Sequence, residues 1–194
     1  NPKQVSIGND HACAIDDTGV RCWGRNTYGQ KNVPLLSNPN QISAGIYHTC
    51  ALDDSGVACW GRNNYGQTNV PILSNPTQIS AGWDHTCALD DFGVVCWGYN
   101  NDGQIDVPEL INPIEIELGA YNSCAIDDRG INCWGKNAFG QNNIPELINP
   151  TQFSSGYQAS CALDQTGLVC WGDSGSRGSL ELIEPTQIAI ELSQ

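Results

Sequence analysis

The chain has 194 residues, with 8 Lys+Arg against 21 Asp+Glu and a formal net charge of −13. Such a surface repels nucleic acid and anionic lipid, because Lys and Arg are the groups that neutralise phosphates, so no nucleic-acid partner is expected. No apolar run approaches the roughly 20 residues that a bilayer span requires, so membrane insertion is not expected either. The lack of Met and of a leader-like segment suggests a processed product.

Helix-forming stretches are scarce, while Gly (21) and Pro (10) are plentiful, which points to short strands and many turns. Along the chain, cysteines stand at 13, 50, 87, 124 and 161, a constant 37 apart. A second set at 22, 59, 96, 133 and 170 keeps the same period, and a Trp follows each: Trp23, Trp60, Trp97, Trp134 and Trp171. A period near 40 with several short strands per copy is the signature of a β-propeller. The fold class is therefore all-β, a single propeller-type domain over 1–194. Its repeats fall at about 2–38, 39–75, 76–112, 113–149 and 150–184, and a closing strand is expected over 185–194, centred on Thr186–Glu191.

The third repeat sets out the expected elements. Gln78–Ser80 begins a strand, Ala81–Asp84 form a loop and His85–Leu89 a second strand. Asp90-Asp91-Phe92-Gly93 make a turn, with Asp capping its own backbone and Gly free to take positive φ. Val94–Gly98 is a third strand, Tyr99–Gln104 a loop, and Ile105–Val107 a candidate short fourth strand before Pro108. Alternating strand direction puts the Ala-Gly loops and the Trp-Gly…Gly-Gln loops at one end, the top. The Asp-Asp turns and the Asn-Pro linkers share the bottom.

Counting outward from the turn Asp16–Gly19 pairs Ile15 with Val20, Ala14 with Arg21 and Cys13 with Cys22. Opposed Cβ atoms lie about 4.5–5.5 Å apart, near disulfide range. The same count predicts Cys50–Cys59, Cys87–Cys96, Cys124–Cys133 and Cys161–Cys170. Zinc sites use shorter cysteine spacings, so neither a metal nor another cofactor is expected. Each staple closes a loop of about 10 residues, worth roughly 2–3 kcal/mol at most. Such bonds need an oxidising compartment, which makes the chain secreted, extracellular or periplasmic.

The runs AGIYHTCALDDSGVACWGRNNYGQ and AGWDHTCALDDFGVVCWGYNNDGQ resemble the regulator of chromosome condensation repeat, with its Gly, His-Ser/Thr, Ala-Leu, Asp-Gly, Trp-Gly and Gly-Gln. The endings GQKNVP, GQTNVP and GQIDVP bring the chain nearest to secreted bacterial members such as β-lactamase inhibitor protein II. The resemblance implies a propeller and, on its top-face loops, contact with a target protein. Family members usually close with seven blades. Five repeats here either close a small ring or belong to a larger propeller or assembly, in which open repeat ends would self-associate. The ending WGDSGSRGSLELIEP departs from the family pattern, as the last repeat of an array often does.

His11, His48 and His85 precede the second strand, with Ser123 and Ser160 read in their place in repeats four and five; a hydrogen bond tying loop to strand is the expected role. The five tryptophans are expected to fill the space between blades. The Asp-Asp turns suit an acidic, solubilising rim; each offers too few oxygens to hold calcium alone. The top loops vary on a constant frame: Asn9-Asp10, Ile46-Tyr47, Trp83-Asp84, Tyr121-Asn122 and Tyr157-Gln158. Adjacent loops add Tyr28, Tyr65, Tyr99 and Phe139. Variable loops on a rigid frame carry recognition, and Tyr and Trp are favoured anchors. The expected binding set is therefore Tyr47, Trp83, Asp84, Tyr121, Asn122, Tyr157, Tyr28, Tyr65, Tyr99 and Phe139. No catalytic constellation is present, so an enzyme is not expected. The functional expectation is an extracellular protein-binding module. A lectin using the Trp-Gly-x-Asn loops and a structural subunit of a surface assembly are the alternatives.

Overall fold

The computed structural model describes residues 1–173. The expected closing strand and the tail of the fifth repeat lie outside the described residues. The described chain forms five three-stranded antiparallel sheets, one per repeat, each ordered first-second-third strand. Blade 1 consists of β1 (Pro2–Ile7), β2 (His11–Asp16) and β3 (Gly19–Gly24). Blade 2 is β4 (Gln41–Ala44), β5 (His48–Asp53) and β6 (Gly56–Gly61). Blade 3 is β7 (Gln78–Ala81), β8 (His85–Asp90) and β9 (Gly93–Gly98). Blade 4 is β10 (Glu115–Leu118), β11 (Asn122–Asp127) and β12 (Gly130–Gly135). Blade 5 is β13 (Gln152–Ser155), β14 (Ala159–Asp164) and β15 (Gly167–Gly172).

The hairpin register is the one that the turn count predicts: Ile15 faces Val20, Ala14 faces Arg21, and Cys13 faces Cys22. All five cross-strand disulfides are formed as predicted. At each turn the Gly takes φ between 112° and 120°, a region closed to most side chains. The first Asp of the turn accepts the N–H two residues on. In four of the five turns it also accepts an N–H from the preceding linker, as Asp90 does from Phe92 (2.8 Å) and Ser74 (2.9 Å). In blades 2, 3 and 4 the second Asp accepts from the linker Asn in the left-handed conformation, as Asp91 does from Asn75 Nδ2 at 2.6 Å.

The candidate fourth strand does not form. Residues 105–107 leave the loop as a turn and unpaired chain. Pro108 brings no N–H, which bars a ladder there. The segment instead presses Val107 and Leu110 into the seam between blades.

Consecutive blades pack face to face. Cys13 and Ile15 of blade 1 meet Ile42, Ala51 and Trp60 of blade 2, and the same positions meet at each later seam. The middle strands β5 and β8 are consequently buried at every residue, whereas β2 alternates. Trp60, Trp97, Trp134 and Trp171 are 7–8% exposed, but Trp23 is 51% exposed. Expecting all five to be core was therefore wrong for Trp23. Each buried indole lies against the blade before it, and among the described residues no blade covers the equivalent face of blade 1.

Polar groups lock the same seams. The Trp60 indole N–H donates to the Gln30 carbonyl at 2.9 Å, which also accepts from the Thr49 hydroxyl at 3.3 Å. With that hydroxyl proton committed, His11 must donate through Nε2 to Thr49 Oγ1, at 2.8 Å. His48–Thr86 and His85–Ser123 repeat the contact at 2.9 Å. The histidines thus tie blade to blade rather than loop to strand. Glycine is required beside them, because a Cβ on Gly82 would collide with the His85 ring and the Gly119 carbonyl. Along the first strands, Gln4 and Ser6 accept the N–H groups of Ile42 (2.8 Å) and Ala44 (2.9 Å). Gln41/Ser43 and Gln78/Ser80 do the same for the next two blades. Blade 4 has Glu115 and Glu117 at these positions, and among the described residues the pattern stops there.

Candidate functional site at the top face

The top loops are held by the frame beneath them. Gln30, Gln67, Gln104 and Gln141 are fully buried. Each Oε1 accepts the N–H two residues earlier, as Gln30 does from Tyr28 at 2.9 Å. A second clasp closes each loop: Asn26 Nδ2 donates to Asn32 Oδ1 at 2.9 Å, and Asn63–Asn69, Asn100–Asp106 and Asn137–Asn143 follow. These residues repeat at the same period as the tryptophans, the signal by which the sequence marks them as frame.

On this frame the aromatic side chains of separate blades meet. Tyr28 packs on Tyr47 with ring centres 5.1 Å apart, and Tyr65 meets Tyr99 edge to face at 4.9 Å. Tyr99 leads to Tyr121 (6.1 Å), which meets Trp83 at 4.9 Å; Trp83 stacks on Tyr157 at 4.8 Å with 16° between planes. Arg62 joins the Tyr28–Tyr47 pair to the longer run that begins at Tyr65. Its guanidinium carbon lies 5.7 Å from the Tyr28 and Tyr47 ring centres and 5.4 Å from that of Tyr65. Lys136 Nζ stands 4.7 Å over Tyr121. Cation–ring contacts at these distances are attractive because the ring face is electron-rich. One belt therefore runs from blade 1 to blade 5. Burial, followed by the nearby Tyr157 and Asp84, raises the pKa of the Tyr121 phenol.

Three expected site residues are placed differently. Phe139 is exposed, but no ring contact among the described residues joins it to the belt. Asn122 is fully buried and takes the position that His11, His48 and His85 hold in the first three blades. Its Nδ2 donates to Ser155 Oγ at 3.0 Å, so Asn122 locks the seam to blade 5. The loop of repeat four is Ala120-Tyr121, one residue earlier than the sequence reading, and Asn122 and Ala159, rather than Ser123 and Ser160, replace the histidine. Asp84 is largely buried and accepts from Gln67 Nε2 at 2.8 Å. Burial raises its pKa, with Arg62 and Gln67 opposing. The sequence reading missed Arg62 and Lys136, because that repeat position holds Arg25, Arg62, Tyr99, Lys136 and Asp173 and signals no common role.

Residues 3–30, 40–67 and 77–104 match the model of the regulator of chromosome condensation (RCC1) repeat. Three of the five repeats thus match the RCC1 repeat. Its fold resembles the ectodomain of the receptor kinase CR4 from Physcomitrella patens, at 28% identity and a TM-score of 0.76, over 88% of this chain and 51% of that one. The CRINKLY WD40 ectodomain of the receptor kinase ACR4 from Arabidopsis thaliana gives 28% identity and a TM-score of 0.71, over 89% and 64%. Human WBSCR16 gives a TM-score of 0.77 at 20% identity, over 89% and 62%, a likeness of fold alone. The chain thus spans between about half and two thirds of the length of these structures. No curated protein matches it in sequence.

Proposed function

We propose that this RCC1-type chain is an extracellular, non-catalytic binding protein that recognises another protein through the top-face aromatic belt. The observation that carries the reading is the convergence of Tyr28, Tyr47, Tyr65, Tyr99, Tyr121, Trp83 and Tyr157 from separate blades. The fold needs none of these rings at these positions: Ile46, Ala120 and Asn9 stand where Trp83 and Tyr157 do in other blades. Clustered Tyr and Trp on rigid loops make good anchors at low entropic cost. The five disulfides and the likeness to a receptor ectodomain support an oxidising, extracellular setting. Resemblance to the secreted inhibitor branch makes a folded protein surface the expected target.

A per-blade sugar pocket is less well supported, because the loop asparagines that would hold a glycan are clasped within their own loops. The test is capture of partners from the protein's native surroundings by the oxidised chain and by its Tyr47/Trp83/Tyr121/Tyr157→Ala variant. A partner held only by the parent supports the reading; equal capture by both, undiminished by free sugars, overturns it.

A further inference from the structure

We propose that Arg62 is the anchor for a carboxylate of the partner protein, an Asp or Glu side chain received by the guanidinium between its three tyrosines. The inference rests on the top-face reading and names the chemistry that the partner brings to it.

The argument starts from two arginines at one repeat position. Arg25 in blade 1 is 55% exposed and has acceptors within its own blade: Asp10 Oδ2 lies 3.2 Å from Nη1, and Thr27 Oγ1 lies 2.8 Å from Nε. In blade 2 the counterpart of Asp10 is Tyr47 and that of Thr27 is Asn64, so Arg62 has lost both. Yet Arg62 is the more buried, at 19% exposed. Its Nε is shut from solvent with no acceptor, and among the described residues its side chain makes no hydrogen bond. Its nearest acid is Asp84 of the next blade, an ion pair with Nη1 to Oδ1 at 3.6 Å, longer than a hydrogen bond. Asp84 already accepts from Gln67.

A guanidinium carries five N–H donors in a planar fork, and donors left unmet in a partly dry site are costly. The faces of Tyr28, Tyr47 and Tyr65 attract the cation but accept no directed hydrogen bond of carboxylate strength. What the site lacks is a planar, singly charged, two-oxygen acceptor meeting the Nη1/Nη2 edge, the fork–fork pairing typical of Arg and carboxylate. Asp84 beside it limits the negative charge that can enter, which favours a carboxylate over a dianionic phosphate. The surrounding rings favour a carboxylate delivered on a protein surface.

The test uses the oxidised chain and N-acetyl-tetraglutamate as probe, with tetraglutamine and tetragalacturonate in parallel. The readouts are titration affinity and the arginine side-chain Nε–Hε resonance of Arg62. The expected result is tetraglutamate binding that shifts this resonance, weakens at least tenfold in Arg62→Gln and in Arg62→Lys, and is unchanged in Arg25→Gln. Arg62→Lys keeps the charge over the rings, so its loss isolates the fork. No binding, or equal weakening in Arg25→Gln, overturns the proposal. Stronger binding of tetragalacturonate than of the peptide overturns the protein source. If a captured partner needs Trp83 and Tyr157 but not Arg62, and tetraglutamate does not bind, the carboxylate anchor fails while the top-face reading stands.

Discussion

Each blade ends in one tight turn at the bottom, blades 1 to 4 carry two longer loops at the top, and the two ends use their side chains differently. At the bottom, Asp16, Asp53, Asp90, Asp127 and Asp164 all cap the same turn N–H. At the top the buried glutamines recur in the first four repeats, yet the residues beside them do not: Tyr28, Tyr65, Asp102 and Phe139 share one position. Where the backbone needs a partner, the residue recurs from blade to blade with few exceptions. Where it does not, the residue varies, and there the aromatic belt has been assembled.

The difference can be broken hardest at a seam. Trp97 is buried and its indole donates to the Gln67 carbonyl, whereas Trp23 is half-exposed. Trp97→Ala should cost about 3–5 kcal/mol, the range for emptying a packed aromatic site, and Trp23→Ala less than about 1 kcal/mol. Guanidinium unfolding of the oxidised chain measures both. Equal losses would mean that Trp23 is covered in solution.

Titration probes the seams next. Burial lowers the pKa of His48 and of His85 to about 3. The unfolded imidazoles take up protons below about 6.5 and the folded ones do not, so stability is full above 6.5 and falls as the pH drops towards 3. The loss should reach about 3–5 kcal/mol per histidine. His85→Asn, which copies blade 4, should flatten this acid limb. Glu117 slopes the other way. Burial, then Glu115, pushes its carboxyl up to about 8, so its folded form is at ease below 4.5 and loses stability as the pH rises through 8. Glu117→Ser, the residue of the other four blades, should stabilise the chain by about 1–3 kcal/mol at pH 8.5 and have little effect at pH 4. An unchanged alkaline limb in that variant would mean that Glu117 is solvated.

How much of this was legible depended on repetition. The 37-residue period, the turn count and the Cys–Cys register needed only local rules, and they placed strands and staples correctly. The fourth strand failed because a Pro that closes each segment removes the N–H that a ladder would use. Trp23 failed because burial belongs to a neighbouring blade, which a repeat read by itself does not contain. Asn122 was misplaced because repeat four lacks the histidine that marks the register, and Ser123, the small polar residue one position on, stands in the place of Thr49 and Thr86. Arg62 was invisible: its significance lies in the acceptors that it lacks, and those come from two other loops and the next blade.

The smallest expected effect lies within one turn. Asp90 accepts two main-chain N–H groups, whereas Asp91 beside it accepts only from side chains, Asn75 at 2.6 Å and Ser74 Oγ at 3.2 Å, both at the exposed rim. Asp90→Asn should cost about 1 kcal/mol, because a neutral amide is a weaker acceptor for N–H groups that charge now strengthens. Asp91→Asn keeps an acceptor oxygen for Asn75 and removes one charge from a chain at −13, which relieves repulsion. Its net effect should fall within about 0.5 kcal/mol of zero, and partner capture should not change. Thermal unfolding of the pair measures the contrast directly. Asp91→Asn as damaging as Asp90→Asn would show that the rim carboxylates hold the turns together, and a bottom-face substitution that abolished capture would move recognition away from the belt.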